Sequence, residues 1–78
     1  AKQQAQTLLA EIERMFPQVE QVVGGSDFGR DAITKARTVI NRGRALIDEA
    51  NYEALREHMD SLGRTERMFR GVIGKASP

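Results

Sequence analysis

His58 is the only histidine in the chain, so it is the first residue to consider for chemistry. A metal site needs several ligands that converge on one ion, and the chain has no cysteine to supply a thiolate. The position of His58, on the edge of the third predicted helix, indicates a solvent-facing or partly packed side chain. The sequence therefore predicts no metal site.

Two other patterns resemble catalytic or binding motifs only in part. Glu11, Glu13 and Glu20 are spaced for a solvated helix face, whereas an acid and base pair must converge in a pocket. The stretch 24–27, Gly-Gly-Ser-Asp, has the glycines of a phosphate-binding loop, but it follows no strand and lacks the Gly-Lys-Ser/Thr ending. We predict a helix junction there. No catalytic constellation remains, so we expect this segment not to be an enzyme.

Arg30, Arg37 and Arg44 recur every seven residues and therefore share one face of a helix. A basic face of this kind is a candidate interaction face for phosphates. No aromatic residue interleaves with it, however, and carboxylates of neighbouring helices would neutralise it. We predict a solvated face with ion pairs between helices. A second basic group, Arg64, Arg67, Arg70 and Lys75, is explained by the negative end of a helix dipole.

Composition limits the remaining classes. The 78 residues allow one small domain, and a domain of this size buries only about 60–65% of the surface of its unfolded chain. The net charge of +1 argues against a dedicated nucleic-acid or membrane-surface module. Apolar runs are too short to span a bilayer, and no signal-peptide pattern is present. We expect a cytoplasmic location. The absence of an initiator Met leads us to expect a fragment of a longer protein.

The first helix is predicted over about 2–23. Its apolar residues follow a heptad seam, Leu8, Ile12, Met15, Val19 and Val22. Pro17 interrupts the seam, and a proline inside a helix costs about 3 kcal/mol. Either one kinked helix or two successive helices would fit, and the unbroken phase of the seam favours the kinked helix.

The second helix is predicted over about 30–49, after a left-handed glycine turn at Gly24 and Gly25 and a cap at Ser26 or Asp27. Its apolar face carries Ile33, Ala36, Ile40, Gly43, Ile47 and Ala50, with Val39 and Leu46 beside it. A glycine inside a helix costs about 1 kcal/mol relative to alanine. Because the apolar phase continues past Gly43, we predict that a neighbouring helix approaches closely there.

The third helix is predicted over about 52–73, with Asn51 as its N-cap and a disordered tail over 74–78. Its apolar positions recur at gaps of four and three, with one charge, Glu66, among them. The short acidic corner before it makes the second and third helices antiparallel neighbours. The fold class that follows is all-α, a small antiparallel three-helix bundle in one domain. We predict that the hairpin core contains Ile33, Ile40, Ile47, Leu55, Met59, Leu62, Phe69 and Ile73.

The hairpin sequence resembles the C-terminal helical lid of DnaK-type heat-shock chaperones. The resemblance rests on Ala45-Leu46, the acidic turn 48–51, Tyr52-Glu53-Ala54-Leu55, and Met59-Asp60-Ser61-Leu62 with the closing helix through Phe69. In that family, a helix ending in Ala-Leu meets a short acidic turn. A second helix then carries an Ala-Ile or Ala-Leu step, followed by a Met and a Leu three residues apart.

The resemblance implies a function in protein folding and the stress response. In the family, an N-terminal ATPase domain controls a β-sandwich that binds extended hydrophobic peptides, and the helical lid slows their release. The implied partners are unfolded client polypeptides and the substrate-binding domain of the parent chain. The lid holds no cofactor, whereas the parent chain binds ATP.

Two other classes of function are open on sequence alone. A homo-oligomerisation or adaptor bundle would pair the seam of the first helix with another copy. A helical nucleic-acid-binding module, the less favoured class, would use the face of Arg30, Arg37 and Arg44 and would bind more weakly as salt is added.

Overall fold

A computed structural model describes residues 2–76 and contains three α-helices joined by two short turns. Helix α1 spans Lys2–Val23, helix α2 spans Asp27–Asp48 and helix α3 spans Tyr52–Ala76. Each helix packs against both others, and none of the described residues forms a strand. The predicted all-α, antiparallel three-helix bundle is confirmed.

The predicted helix bounds need two corrections. Helix α2 begins at Asp27, three residues before the expected start, and it ends at Asp48. Helix α3 continues through Gly74 to Ala76, so the predicted tail is wrong over 74–76. Positions 77 and 78 of that tail lie outside the described residues. Lys75 in the last turn of α3 suits the negative end of the helix dipole, which helps the helix persist.

The turn between α1 and α2 explains the early start of α2. The Ser26 hydroxyl accepts a hydrogen bond from the Gly29 amide at 2.9 Å, so Ser26 is the N-cap. Gly29 is helical and buried. Only glycine fits at this position, because a Cβ there would lie 1.9 Å from the Val23 carbonyl oxygen. The predicted left-handed glycines at Gly24 and Gly25 are wrong, because neither has a positive φ. The chain instead closes α1 with a bond from the Gly24 amide to the Glu20 carbonyl.

The turn between α2 and α3 uses an alanine where a glycine is usual. Ala50 has a φ of 56°, in the left-handed region. The Asn51 amide donates to the Leu46 carbonyl, and the Ala50 amide donates to the Ile47 carbonyl. These two bonds form a Schellman motif, in which glycine is the preferred left-handed residue. Ala50 was expected on the apolar face of α2, but it is exposed in this turn.

Helix α1 is unbroken at its proline, and Asn51 caps the start of α3. Helix α1 is one continuous helix with Pro17 inside it, so the alternative of two separate helices is wrong. Pro17 is exposed, and the seam stays in phase on both sides of it. The Asn51 side-chain oxygen accepts a hydrogen bond from the Ala54 amide at 3.3 Å, which confirms Asn51 as a cap for α3.

The core runs along the axis of the bundle and takes apolar residues from all three helices. Its buried members are Ala5, Leu9, Ile12, Met15, Phe16, Val19, Ile33, Ala36, Ile40, Leu46, Leu55, Leu62 and Phe69. Of the eight residues predicted for the hairpin core, five are buried. The other three, Ile47, Met59 and Ile73, are half-buried and pack against the core. Leu46, expected beside the apolar face, is only 1% exposed and takes the central position of the last turns of α2.

Close contacts across the core fix how the helices sit together. Gly43 is buried, and a Cβ there would lie 3.4 Å from Leu9 Cδ2 and 3.5 Å from Leu62 Cδ2. The predicted close approach at Gly43 is therefore confirmed. Further along the bundle, the rings of Phe16 and Phe69 meet edge to face, with centroids 5.5 Å apart. This geometry suits the quadrupoles of the two rings.

We predict that Ala50→Gly stabilises the protein by about 1 kcal/mol, because a left-handed conformation costs an L-residue roughly 1–2 kcal/mol and costs glycine almost nothing. The measurement is urea denaturation, which should show a higher midpoint with an unchanged slope. The matched control is Ala10→Gly, at an exposed position inside α1. It should destabilise the protein by about 1 kcal/mol. A loss of stability in the Ala50 variant would contradict the turn geometry.

Candidate interaction surfaces

The predicted basic face of α2 is exposed, and each of its arginines pairs with a carboxylate. Arg44 pairs with Glu13, and Arg37 pairs with Glu20 at 3.4 Å, so both join α2 to α1. Arg30 pairs with Asp27 in its own helix and donates to the Gly24 carbonyl at 3.2 Å. The face is thus a set of ion pairs, as the sequence predicted. A phosphate would have to compete with a carboxylate at every position.

Arg37 has a second structural contact that the sequence did not indicate. Its guanidinium lies 4.7 Å from the centroid of the Phe16 ring, in cation–π geometry. Phe16 therefore has Arg37 on one side and Phe69 on another. The cation covers the part of the ring that the core leaves open, which explains why Phe16 is 92% removed from solvent beside an exposed proline.

His58 bridges α3 and α2. Its Nε2 lies 2.8 Å from the Val39 carbonyl oxygen, so Nε2–H donates a hydrogen bond to the backbone of the neighbouring helix. The side chain is half-buried, which agrees with the partly packed placement expected from the sequence. Its contact is structural. Among residues 2–76, no three histidine, cysteine or acidic side chains are grouped so that they could hold a metal ion.

The three glutamates of α1 that were considered for acid and base chemistry each pair with a different arginine. Glu11 pairs with Arg14 at 2.9 Å in the same helix. The hydrogen bond from Arg14 and its positive charge lower the pKa of Glu11, and the charge of Arg70 adds to the effect. Glu11 therefore contributes stability above its unfolded pKa, and this contribution is lost as the pH falls through its lowered, folded pKa. Glu13 and Glu20 serve the arginine face, so the three glutamates do not form an acid and base pair.

Among residues 2–76, Glu66 is the one carboxylate side chain that the fold removes from water almost completely. It occupies an apolar position of α3, between Leu62 and Phe69, and only 8% of the residue is exposed. Arg70 forms an ion pair with Oε1 of Glu66. The geometry is not that of a hydrogen bond, so this buried oxygen accepts none from the described residues. Burial of this oxygen without a hydrogen bond costs free energy, and the ion pair with Arg70 offsets part of that cost.

An apolar groove lies between the first half of α2 and the second half of α3. We call it the Phe28–Met68 groove. It is lined by Phe28, Ala32, Ala36 and Val39 of α2 and by Thr65, Met68 and Val72 of α3. Phe28 is 84% exposed and Met68 is 41% exposed, so two large apolar side chains face solvent at its edge. Asp31, Lys35 and Arg64 border it.

Sequence reasoning missed this groove for two reasons. The predicted start of α2 at about residue 30 leaves Phe28 outside the helix, and the apolar face predicted for α3 does not include Met68. Phe69 is fully buried, but Met68 points along the neighbouring face of α3. The available signal was the series Phe28, Ala32, Ala36 and Val39, whose gaps of four, four and three place four apolar residues along one side of α2.

The seam of α1 is used inside the chain. Ile12 and Val19 are almost fully buried against the other two helices, and only Val22, at the end of the seam, is substantially exposed. A second copy would have to displace α2 and α3 to use this seam.

None of the helices in the described part of the chain is both long and apolar enough to cross a bilayer.

Comparison with known proteins finds no match for this chain among protein-family models, curated proteins or solved structures.

We predict that Glu66→Met stabilises the bundle by about 1 kcal/mol, because it replaces a buried carboxylate, whose Oε1 accepts no hydrogen bond, by an apolar side chain. Arg70 is 71% exposed and stays solvated without its partner. Thermal and urea unfolding at neutral pH would measure the change. The control is Glu57→Met at an exposed position of the same helix, which should change stability by less than about 0.5 kcal/mol. A marked loss of stability in the Glu66 variant would show that the carboxylate contributes to folding.

Proposed function

We propose that this bundle is the C-terminal helical lid of a DnaK-type, ATP-dependent chaperone and acts without chemistry of its own. Its task would be to retain extended hydrophobic polypeptides on a substrate-binding domain elsewhere in the parent chain. The bundle would hold no cofactor, since ATP would bind to the parent's ATPase domain. A cytoplasmic location belongs to the same proposal.

The observation that carries the proposal is that several of the residues resembling the chaperone lid hold the hairpin together. Leu46, Leu55 and Leu62 are each at most 1% exposed and hold the hairpin together. Asn51 caps α3 in the acidic turn between them. Several of the residues that carry the similarity to the chaperone lid therefore also determine how the hairpin folds.

The mechanical properties of the bundle also support this role. A lid must move as one body between an open and a closed position. Three helices that share one core, with no long loop between them, meet that requirement. Such a lid lengthens the residence time of a bound peptide by slowing its dissociation, so it needs little affinity of its own.

The alternative functions receive less support from the same structure. The carboxylates that pair with Arg30, Arg37 and Arg44 disfavour a nucleic-acid-binding role. The burial of the α1 seam within the chain disfavours an oligomer built on that seam.

The test begins with the reading frame that encodes this segment. We expect an ATPase domain with phosphate-binding glycine loops, followed by a strand-rich domain, ahead of residue 1. In that parent protein, deletion of residues 1–78 should accelerate the release of a fluorescent hydrophobic peptide by about tenfold or more, since a lid acts on dissociation. The measurement is stopped-flow fluorescence after addition of unlabelled competitor.

The basal rate of ATP hydrolysis serves as the control, because the deletion removes no group from the ATPase domain. A reading frame without those two domains would contradict the proposal. So would an unchanged rate of peptide release.

A further inference from the structure

The Phe28–Met68 groove is an apolar surface that the fold itself does not require. Phe28 lies in the first turn of α2 with 84% of its surface in water, so it adds almost nothing to the core. Burying an aromatic side chain of this size strengthens an interaction by roughly tenfold or more. That gain is available to a partner.

The groove has a recess that suits one large side chain. A cavity of about 100 Å³ opens beneath Phe28 and Met68, and only apolar residues line it. Its inner wall includes Val19, Ile33 and Phe69. A shallower depression of about 310 Å³ adjoins it and carries the charged residues of the groove. An occupant would therefore place an apolar side chain in the recess and its neighbouring residues over the depression.

The charged residues around the depression indicate which charge the occupant should carry next to its apolar side chain. Lys35 pairs with Asp31 at 3.2 Å, so their charges compensate each other. Arg64 has no carboxylate within 4.0 Å among residues 2–76. Among the charged residues at the border of the groove, Arg64 is therefore the one without an ion-pair partner in the described structure, and it would attract a carboxylate of the occupant.

We propose that the Phe28–Met68 groove binds a segment of a partner polypeptide in which a large apolar side chain stands next to an acidic residue. The apolar side chain fills the recess, and the carboxylate pairs with Arg64. This inference goes beyond the lid function and does not depend on it. One anchor and one exposed ion pair support only a weak and transient contact, with a dissociation constant on the order of 1 mM.

The experiment is a titration of the ¹⁵N-labelled 78-residue chain with two synthetic peptides, followed by NMR. Both peptides have a central Leu-Phe pair, flanked by Asp and Glu in one and by Lys in the other. We expect the acidic peptide to shift the amide signals of Phe28, Ala32, Val39 and Met68. We expect it to bind about tenfold more tightly than the basic peptide.

Two substitutions separate the apolar anchor from the charge. Phe28→Ser should weaken binding of the acidic peptide by about tenfold, because it removes the exposed wall of the recess. Arg64→Glu should reverse the preference, so that the Lys-flanked peptide binds more tightly. The matched controls are Tyr52→Ser, at an exposed aromatic residue, and Arg56→Glu, at an exposed arginine. Neither residue lines the groove, and neither substitution should change the affinity.

Three results would overturn the inference. The first is the absence of signal shifts in the groove with either peptide, and the second is equal binding of both peptides. The third is a set of shifts in the groove that depends on protein concentration alone, which would identify a second copy as the occupant. Circular dichroism of each variant confirms that the helices remain folded, so a loss of binding reports on the groove.

Discussion

The apolar core that all three helices share is the interaction on which the rest of the bundle depends. The helices meet at Gly43, where Leu9 of α1 and Leu62 of α3 both reach to within ordinary contact distance of the place where a side chain would begin. A glycine inside a helix costs about 1 kcal/mol in helix propensity. The burial of apolar side chains along the core, each worth about 1.5–3 kcal/mol, outweighs that cost.

Other contacts on either side of Gly43 depend on the same close packing of the helices. The rings of Phe16 and Phe69 can meet edge to face only if α1 and α3 lie close together. His58 can reach the Val39 carbonyl only if α2 and α3 do. The arginine face then falls opposite Glu13 and Glu20 of α1, and its charge is largely compensated. The net result is a bundle with one shared core, whose distinctive exposed surface is the apolar groove at Phe28 and Met68.

The helices and most of the core could be predicted from the sequence because both follow from local periodicity. The phase of the apolar residues located α1, the start of α3 and the close approach at Gly43. It could not show that Ala50 would adopt a left-handed conformation, because alanine rarely does so and the cost is offset by the hairpin. The sequence indicated Ser26 as a possible cap, but not that α2 begins directly after it, where the Gly29 amide donates to the Ser26 hydroxyl and the glycine leaves room for the end of α1.

Of the two candidate surfaces, one could be predicted from the sequence and the other could not. The arginine face could be predicted, including its neutralisation, because heptad spacing places residues on one side of a helix. The groove could not, because it depends on how α2 and α3 are rotated relative to each other. That rotation places Met68 beside Phe28 and leaves Phe69, the next residue in the chain, fully buried.

The central claim is that the chain is one rigid body that acts through its surface. Native-state hydrogen exchange of the backbone amides tests it most directly. A rigid body predicts that the slowest amides of all three helices, such as those of Ile12, Gly43 and Leu62, exchange with one free energy equal to that of global unfolding. Exchange of the α1 amides at a clearly lower free energy would contradict the claim, because α1 would then open independently of the hairpin.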